Sequence, residues 1–248
     1  MVSSKKSSKK NAYTPEPPSN RLTYTLGGIA LVLALIASLF MYLWQQRTSS
    51  PVDDGYGNLQ AAEIAIDDNG YIRLGSDDAP IVIELYEDYK CEGCQRFYHL
   101  YGQNIARHID EGSLAVEYRT LAILDRISET GTYSTRAAAA ATCVANTGDG
   151  AVFHAFHSDL LEQRPRGREE LSPTELADIA RNAGADDNAI TCITNSDLID
   201  DAEAKTESAR EAMISAGSEG TPTVVHNGEL VSWESRHWLN ELITGTSQ

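Results

Sequence analysis

Apolar positions along this chain change their spacing several times, and each change marks a different element. The first is a continuous block. The 25 residues between Arg21 and Arg47 carry no charge, and Gly27 to Leu43 is nearly all apolar. At a rise of 1.5 Å per residue, about 20 such residues cross a hydrocarbon core of about 30 Å, so residues 22–46 predict a transmembrane anchor. Tyr24, Tyr42 and Trp44 stand near its two ends, where amphipathic rings favour the interface. A cleavable signal peptide is the rival reading, but the apolar stretch exceeds an h-region and no clear A-x-A site follows it.

Beyond the anchor the pattern shortens. Glu63–Ile66 and Tyr71–Leu74 predict short strands around the turn Asp67-Asp68-Asn69-Gly70. Ile81–Tyr86 is a near-continuous apolar run, as in a central strand buried on both faces. From Cys91 the spacing becomes three and four, through Cys94, Phe97, Tyr98, Tyr101, Ile105 and Ile109, which predicts a helix stopping at Gly112. Leu114–Leu121 predicts a strand parallel to the previous one, closing a β-α-β unit. A helical block follows: Thr135–Ala145, Ala151–Gln163, a helix capped by Ser172 with Pro173 and Glu175 behind it, and further pieces around Ile190 and over Asp197–Ala216. Strands return at Thr223–His226 and Glu229–Val231, joined by Asn227-Gly228, and Ser235–Ile243 predicts a last helix. The fold class is α/β, a small sheet interrupted by helices. Four regions follow: a tail at 1–21 rich in Lys, Ser, Pro and Asn, the anchor at 22–46, a tether at 47–58, and a domain at 59–248 with a helical insertion at about 127–219.

Charge orients these regions. Lys5, Lys6, Lys9, Lys10 and Arg21 precede the anchor with only Glu16 against them, whereas the part beyond Arg47 has 14 basic and 35 acidic residues, about −21. The bias predicts a cytoplasmic N-terminus and an extracytoplasmic domain, held to a cell membrane by one pass through the bilayer. So acidic a surface repels nucleic-acid phosphates, which argues against nucleic acid as a partner. Solubility is the plainer account of the charge.

Cys91-Glu92-Gly93-Cys94 is the clearest chemical signal. The pair stands where a central strand gives way to a helix start, and there the dipole and unpaired N–H groups stabilise a thiolate. Cys91, at the tip, would attack, and Cys94, one turn inside, would resolve the mixed disulfide. A structural disulfide and half of a zinc site compete, but a bridge between residues three apart is uncommon and the other cysteines stand alone. Exchange of this kind needs no metal and no organic cofactor. A second signal is Gly220-Thr221-Pro222-Thr223 before the late hairpin. A cis bond at Pro222 would leave the Thr221 backbone open beside the cysteines, where an extended peptide could pair as an added strand.

Leu74 to Pro80 (LGSDDAP), Tyr86 to Cys91 (YEDYKC), the CxxC and Gly220 to Thr223 together resemble a DsbA-like protein of the thioredoxin superfamily, and most the membrane-tethered forms of Gram-positive actinobacteria. The resemblance covers roughly Ile64 to Leu242, with the helical insertion at the place where that family carries it. It implies a thioredoxin-like fold, Cys91 as nucleophile, Cys94 as resolving thiol, and Pro222 as a cis-proline preceded by Thr221. It also implies a thiol–disulfide oxidoreductase that introduces disulfides into exported proteins with cysteines, re-oxidised by a membrane quinone reductase of the DsbB or VKOR type. The same chemistry run backwards, in a tethered reductase or isomerase, is the alternative. A chaperone-like binder using the groove beside Pro222 without redox turnover is a rival of another class.

One departure from that family stands out. Many relatives have Pro after the first cysteine, where this chain has Glu92. Glu87, Asp88 and Glu92, relieved only by Lys90 and Arg96, predict a disfavoured Cys91 thiolate, a raised pKa and a weaker oxidant. Glu92 pointing into solvent with little effect is the other reading. Cys143 and Cys192 each fall in a predicted helix of the insertion, and an oxidising compartment predicts a disulfide stapling two helices, as in actinobacterial relatives. Two buried free thiols are the alternative. Glu84, in the strand before the cysteines, is a candidate proton shuttle, although its offset from Cys91 differs by one residue from the usual one. His154 and His157 have the spacing of half a metal site, but no third ligand is evident and an amphipathic helix surface is the expectation.

Overall fold

The computed structural model describes residues 56–60 and 62–245, together with Leu33, Leu35 and Ser38, which are helical. The tail at 1–21, the rest of the anchor at 22–46 and most of the tether lie outside the described residues. Among the described residues no helix is long and apolar enough to cross a membrane.

The domain is built on six strands in the order β1-β2-β4-β3-β5-β6. Its first hairpin pairs β1 (Ile64–Ile66) with β2 (Ile72–Leu74), around a turn in which the Asp67 carboxylate accepts from the N–H groups of Asn69 (2.9 Å) and Tyr71 (2.8 Å). The central strand β3 (Ile81–Glu87) runs parallel to β4 (Leu114–Thr120), and the crossover between them is α1 (Glu92–Asp110). On its other side β3 pairs antiparallel with β5 (Thr223–His226), which turns back into β6 (Glu229–Leu230). That turn holds Asn227 at φ 53° and Gly228 at φ 79°, the two positive values that a two-residue hairpin matching the sheet twist requires.

Alternation along β3 divides the core. Ile83 and Leu85 join Val116 and Tyr118 of β4, Phe97 and Tyr101 of α1, and the apolar residues of the insertion on one face. Tyr86 points to the other face, where it meets Tyr71, Val225 and Leu121. Ala209 and Met213 of α6 (Ile199–Ser215) cover that second, smaller cluster.

Between β4 and β5 lie a 3₁₀ turn (Asp125–Ile127), α2 (Tyr133–Ala145), α3 (Gly150–Glu162), α4 (Pro173–Ala183), α5 (Asp187–Asn195) and then α6. The 3₁₀ turn has no sequence signal of its own. Its role is local, because the Asp125 carboxylate accepts from the Ser134 N–H (2.5 Å) and the Thr135 hydroxyl (2.6 Å) and so closes the open start of α2. Alanine side chains let α2 lie inside the domain with nearly every residue buried, as a helix apolar all round must. Ser172 and Glu175 exchange the paired bonds of a capping box at the start of α4, with Pro173 in the first turn. A disulfide between Cys143 and Cys192 ties α2 to α5, with Cα atoms 5.9 Å apart. The last helix, α7 (Trp238–Thr244), starts later than its spacing predicted, since Ser235 instead makes a turn and its hydroxyl accepts from the His237 N–H.

Candidate active site

Strand β3 ends at Glu87, and the chain turns through Asp88 to Lys90 into α1, placing Cys91 at the N-cap with φ −78° and ψ 123°. The Cys91 N–H donates to the Asp88 carbonyl (2.8 Å), which sets the turn. A side chain at this position faces the unpaired N–H groups of the first helical turn, and here that side chain is a sulfur. Cys91 and Cys94 are both free thiols; Cys91 is half-buried and Cys94 only 1% exposed.

Their environments push the two thiols apart. A hydrogen bond from the Cys94 thiol brings Cys91 down to about 5, aided by the Thr221 side chain and the N–H groups of Cys94 and Gly93, while partial burial opposes them. As a thiol, Cys91 instead donates to the Thr221 carbonyl at 3.4 Å. Burial drives Cys94 well above the ordinary thiol range, and its bond to Cys91 and the Glu87 charge add to the rise. One sulfur is thus held ready as a thiolate and the other as a thiol.

The Thr221–Pro222 peptide is cis, and this loop lies directly against the cysteine turn. Gly93 permits that approach: a Cβ there would stand 3.2 Å from both Pro222 Cδ and the Thr221 carbonyl oxygen. The Thr223 hydroxyl donates to the Gly220 carbonyl (2.6 Å) and lies 2.7 Å from the Ser218 hydroxyl, which holds the loop in place. The glycine between the cysteines carried no reading in the sequence, and only the neighbouring loop gives it one.

Three expectations are corrected here. The acidic neighbourhood does not raise Cys91. Glu92 is exposed, and Asp88 is a buried acid that desolvation lifts to about 6 despite bonds from the Lys90 and Leu124 N–H groups and the Ser134 hydroxyl. Glu87 is also buried, with its Oε1 2.6 Å from His157 Nε2. The helix start and the partner thiol therefore outweigh these carboxylates at Cys91. Second, Glu84 does not face the cysteines. Strand alternation turns it with Tyr86 away from the α1 side, where it accepts from the Tyr86 hydroxyl (2.5 Å) and pairs with Arg119 (3.3 Å). The acid whose charge reaches Cys94 is Glu87, three residues further on and on the opposite face. Third, His154 and His157 are not on a helix surface: they are 3% and 1% exposed. Burial and the neighbouring His157 bring His154 down to about 4, so it is neutral. His157 sits among Tyr89, Tyr98, Tyr118 and Phe153, with ring centroids 4.7 to 6.0 Å away.

The chain is similar to known proteins in sequence and in fold. The thioredoxin family model matches residues 67–243. In structure the chain resembles DsbA of Mycobacterium tuberculosis, at 28% identity and a TM-score of 0.61 over 71% of this chain and 91% of that one. The MdbA thiol–disulfide oxidoreductase of Corynebacterium diphtheriae shares the fold, with 23% identity and a TM-score of 0.66 over 77% of this chain and 100% of that one. In sequence it is 31% identical over 224 residues to the serine/threonine-protein kinase PknE of Mycobacterium tuberculosis, covering 88% of this chain. The chain spans 38% of the length of that relative. With a cysteine pair at the tip of α1, a proline loop against it and these relatives, the chain belongs to the thioredoxin family and is a thiol–disulfide oxidoreductase of the DsbA type.

Proposed function

We propose that this oxidoreductase is an extracytoplasmic oxidase, anchored to the membrane through residues 22–46, that passes the Cys91–Cys94 disulfide to exported proteins. The observation that carries the direction is the Cys91 thiolate, favoured down to about pH 5. A stabilised thiolate stabilises the reduced enzyme, and that makes the oxidised enzyme a stronger oxidant. In the reaction, a substrate thiolate attacks Cys91 Sγ, the bond to Cys94 breaks, and Cys94 leaves with the electron pair and takes up a proton. A second substrate thiolate then attacks the substrate sulfur of the mixed disulfide, and Cys91 departs as the thiolate its surroundings favour. The high pKa of Cys94 keeps the released sulfur protonated, so it does not reverse the first step. Pro222 and Thr221 border the attacked sulfur, and the Thr221 backbone is the edge against which an extended substrate would lie.

The anchor is supported by the 25 uncharged, largely apolar residues between Arg21 and Arg47, among which Leu33, Leu35 and Ser38 are helical. The likeness to PknE also covers more of the chain than residues 56–248 alone supply. A membrane quinone reductase of the DsbB or VKOR type would return the pair to the disulfide. Equilibration with glutathione tests the direction. A potential well above the glutathione poise supports an oxidase, whereas a value near the roughly −270 mV of thioredoxin makes the chain a reductase or isomerase.

A further inference from the structure

The segment joining α3 to α4 is pinned to the residue before Cys91 at two points. Arg164 Nη1 donates to the Lys90 carbonyl (3.3 Å), and Lys90 Nζ donates to the Glu169 carbonyl (2.5 Å). Gln95, in the first turn of α1, holds the same segment, donating to the carbonyls of Leu161 and Glu162 and accepting from Arg164. The arc between the pins, Pro165 to Arg168, therefore borders the catalytic turn. Cys91 lies between two loops, with the Thr221–Pro222 loop touching its sulfur and this arc tied to the peptide before it.

The charge of the arc is opposite to that of the domain. Arg166 and Arg168 are exposed and have no ion-pair partner among the described residues, and Arg96 on α1 is in the same state. Of the nearby acids, Glu170 pairs with Arg136 (3.0 Å), which leaves Glu92, Glu162 and Glu169 against the guanidiniums of Arg96, Arg164, Arg166 and Arg168. Elsewhere beyond Arg47 acidic residues outnumber basic ones by more than two to one. A domain so negative repels acidic chains everywhere except at such a break, and an exposed guanidinium offers a carboxylate paired hydrogen bonds.

We propose that this arginine arc is a docking surface for exported substrates that carry Asp or Glu beside the cysteine being oxidised. The inference rests on the oxidase reading and adds its substrate class. Two dithiol peptides that differ only in four flanking residues, all Asp or all Lys, test it with the full chain. Each oxidation rate is divided by that peptide's rate with oxidised glutathione, which removes the effect of flanking charge on the peptide's own thiol. The acidic peptide should react about fivefold faster at low ionic strength, and the preference should vanish near 0.5 M salt, where screening lengths fall to about 4 Å. Arg166→Glu with Arg168→Glu should collapse or invert the ratio. A lysine peptide oxidised as fast as the acidic one at low salt overturns the surface, and that measurement needs no variant to fold. Oxidation of neither peptide overturns the oxidase reading itself, and the surface with it.

Discussion

Cys91 and Cys94 lie on the first turn of one helix, whereas Cys143 and Cys192 are 49 residues apart and join two helices of the insertion. The residue type is the same and the surroundings decide the chemistry. The first pair has a sulfur at an N-cap, a neighbouring proline loop and a buried partner thiol, so one member ionises easily and the other hardly at all. The second pair bridges α2 and α5 with no helix start at either sulfur, since Cys143 is near the end of α2 and Cys192 past the middle of α5. Its contribution is to the unfolded chain: closing a loop of that length removes conformational freedom worth about 4 kcal/mol in the chain-entropy model. A reactive disulfide needs a stabilised leaving thiolate, and a structural one needs a long loop.

Single substitutions should separate the pairs most sharply. Cys91→Ser should lower disulfide exchange by about a thousandfold or more, since no other sulfur at the site is an exposed thiolate. Cys94→Ser should trap substrates as mixed disulfides visible on non-reducing gels. Cys143→Ser with Cys192→Ser should keep exchange while losing about 4 kcal/mol in urea unfolding. A shift of the active-site potential by more than about 30 mV in that double variant would break the division of labour, since 30 mV is a tenfold change in the exchange constant.

The buried pair beside Cys94 should come next. His157→Phe leaves Glu87 without its partner inside an aromatic cage, and the domain should lose about 3 kcal/mol in the same urea titration. An unchanged midpoint would mean that the contact between Glu87 and His157 does not stabilise the fold.

A smaller effect lies in the pH dependence. The folded Cys91 pKa of about 5 is below the ordinary thiol value, so its stabilisation of the reduced form is complete above about pH 8.5 and is lost as pH falls through 5. Above pH 5, and below the Cys94 pKa, reduction takes up one proton and the potential should fall about 30 mV per pH unit. Below 5 it takes up two and the slope should double to about 59 mV. A slope already doubled at pH 7 would place the Cys91 pKa above neutrality and return the pair to the value its acidic sequence neighbours suggest. Smallest of all, Gly93→Ala should slow substrate exchange a few-fold, because the new methyl meets the Thr221 carbonyl and Pro222 at 3.2 Å. Exchange at the wild-type rate would show that the loop gives way without loss.

What the sequence determined by itself was local. The apolar run of Ile81–Tyr86, the spacing of three and four from Cys91, the Asn227-Gly228 turn and the Ser172 capping box all act within a few residues, so the order of strands and helices and the position of Cys91 at a helix start could be read directly. The Cys143–Cys192 pairing was expected from an oxidising compartment and from the resemblance to actinobacterial relatives, with two buried free thiols as the alternative. Tertiary structure decided everything carried through space. Counting acids near Cys91 gave the wrong sign, because sequence distance says nothing about which carboxylates are buried or what they are paired with. Glu84 and Glu87 look alike in the chain, yet strand phase sends them to opposite faces of the sheet. The histidines looked like surface residues until α3 was laid against α1 and β4. Gly93 and the arginine arc likewise acquire meaning only from segments more than 60 residues away that fold against them. Backbone preference is a short-range property, whereas desolvation and charge depend on three-dimensional neighbours, and the reactivity of Cys91 belongs to the second kind.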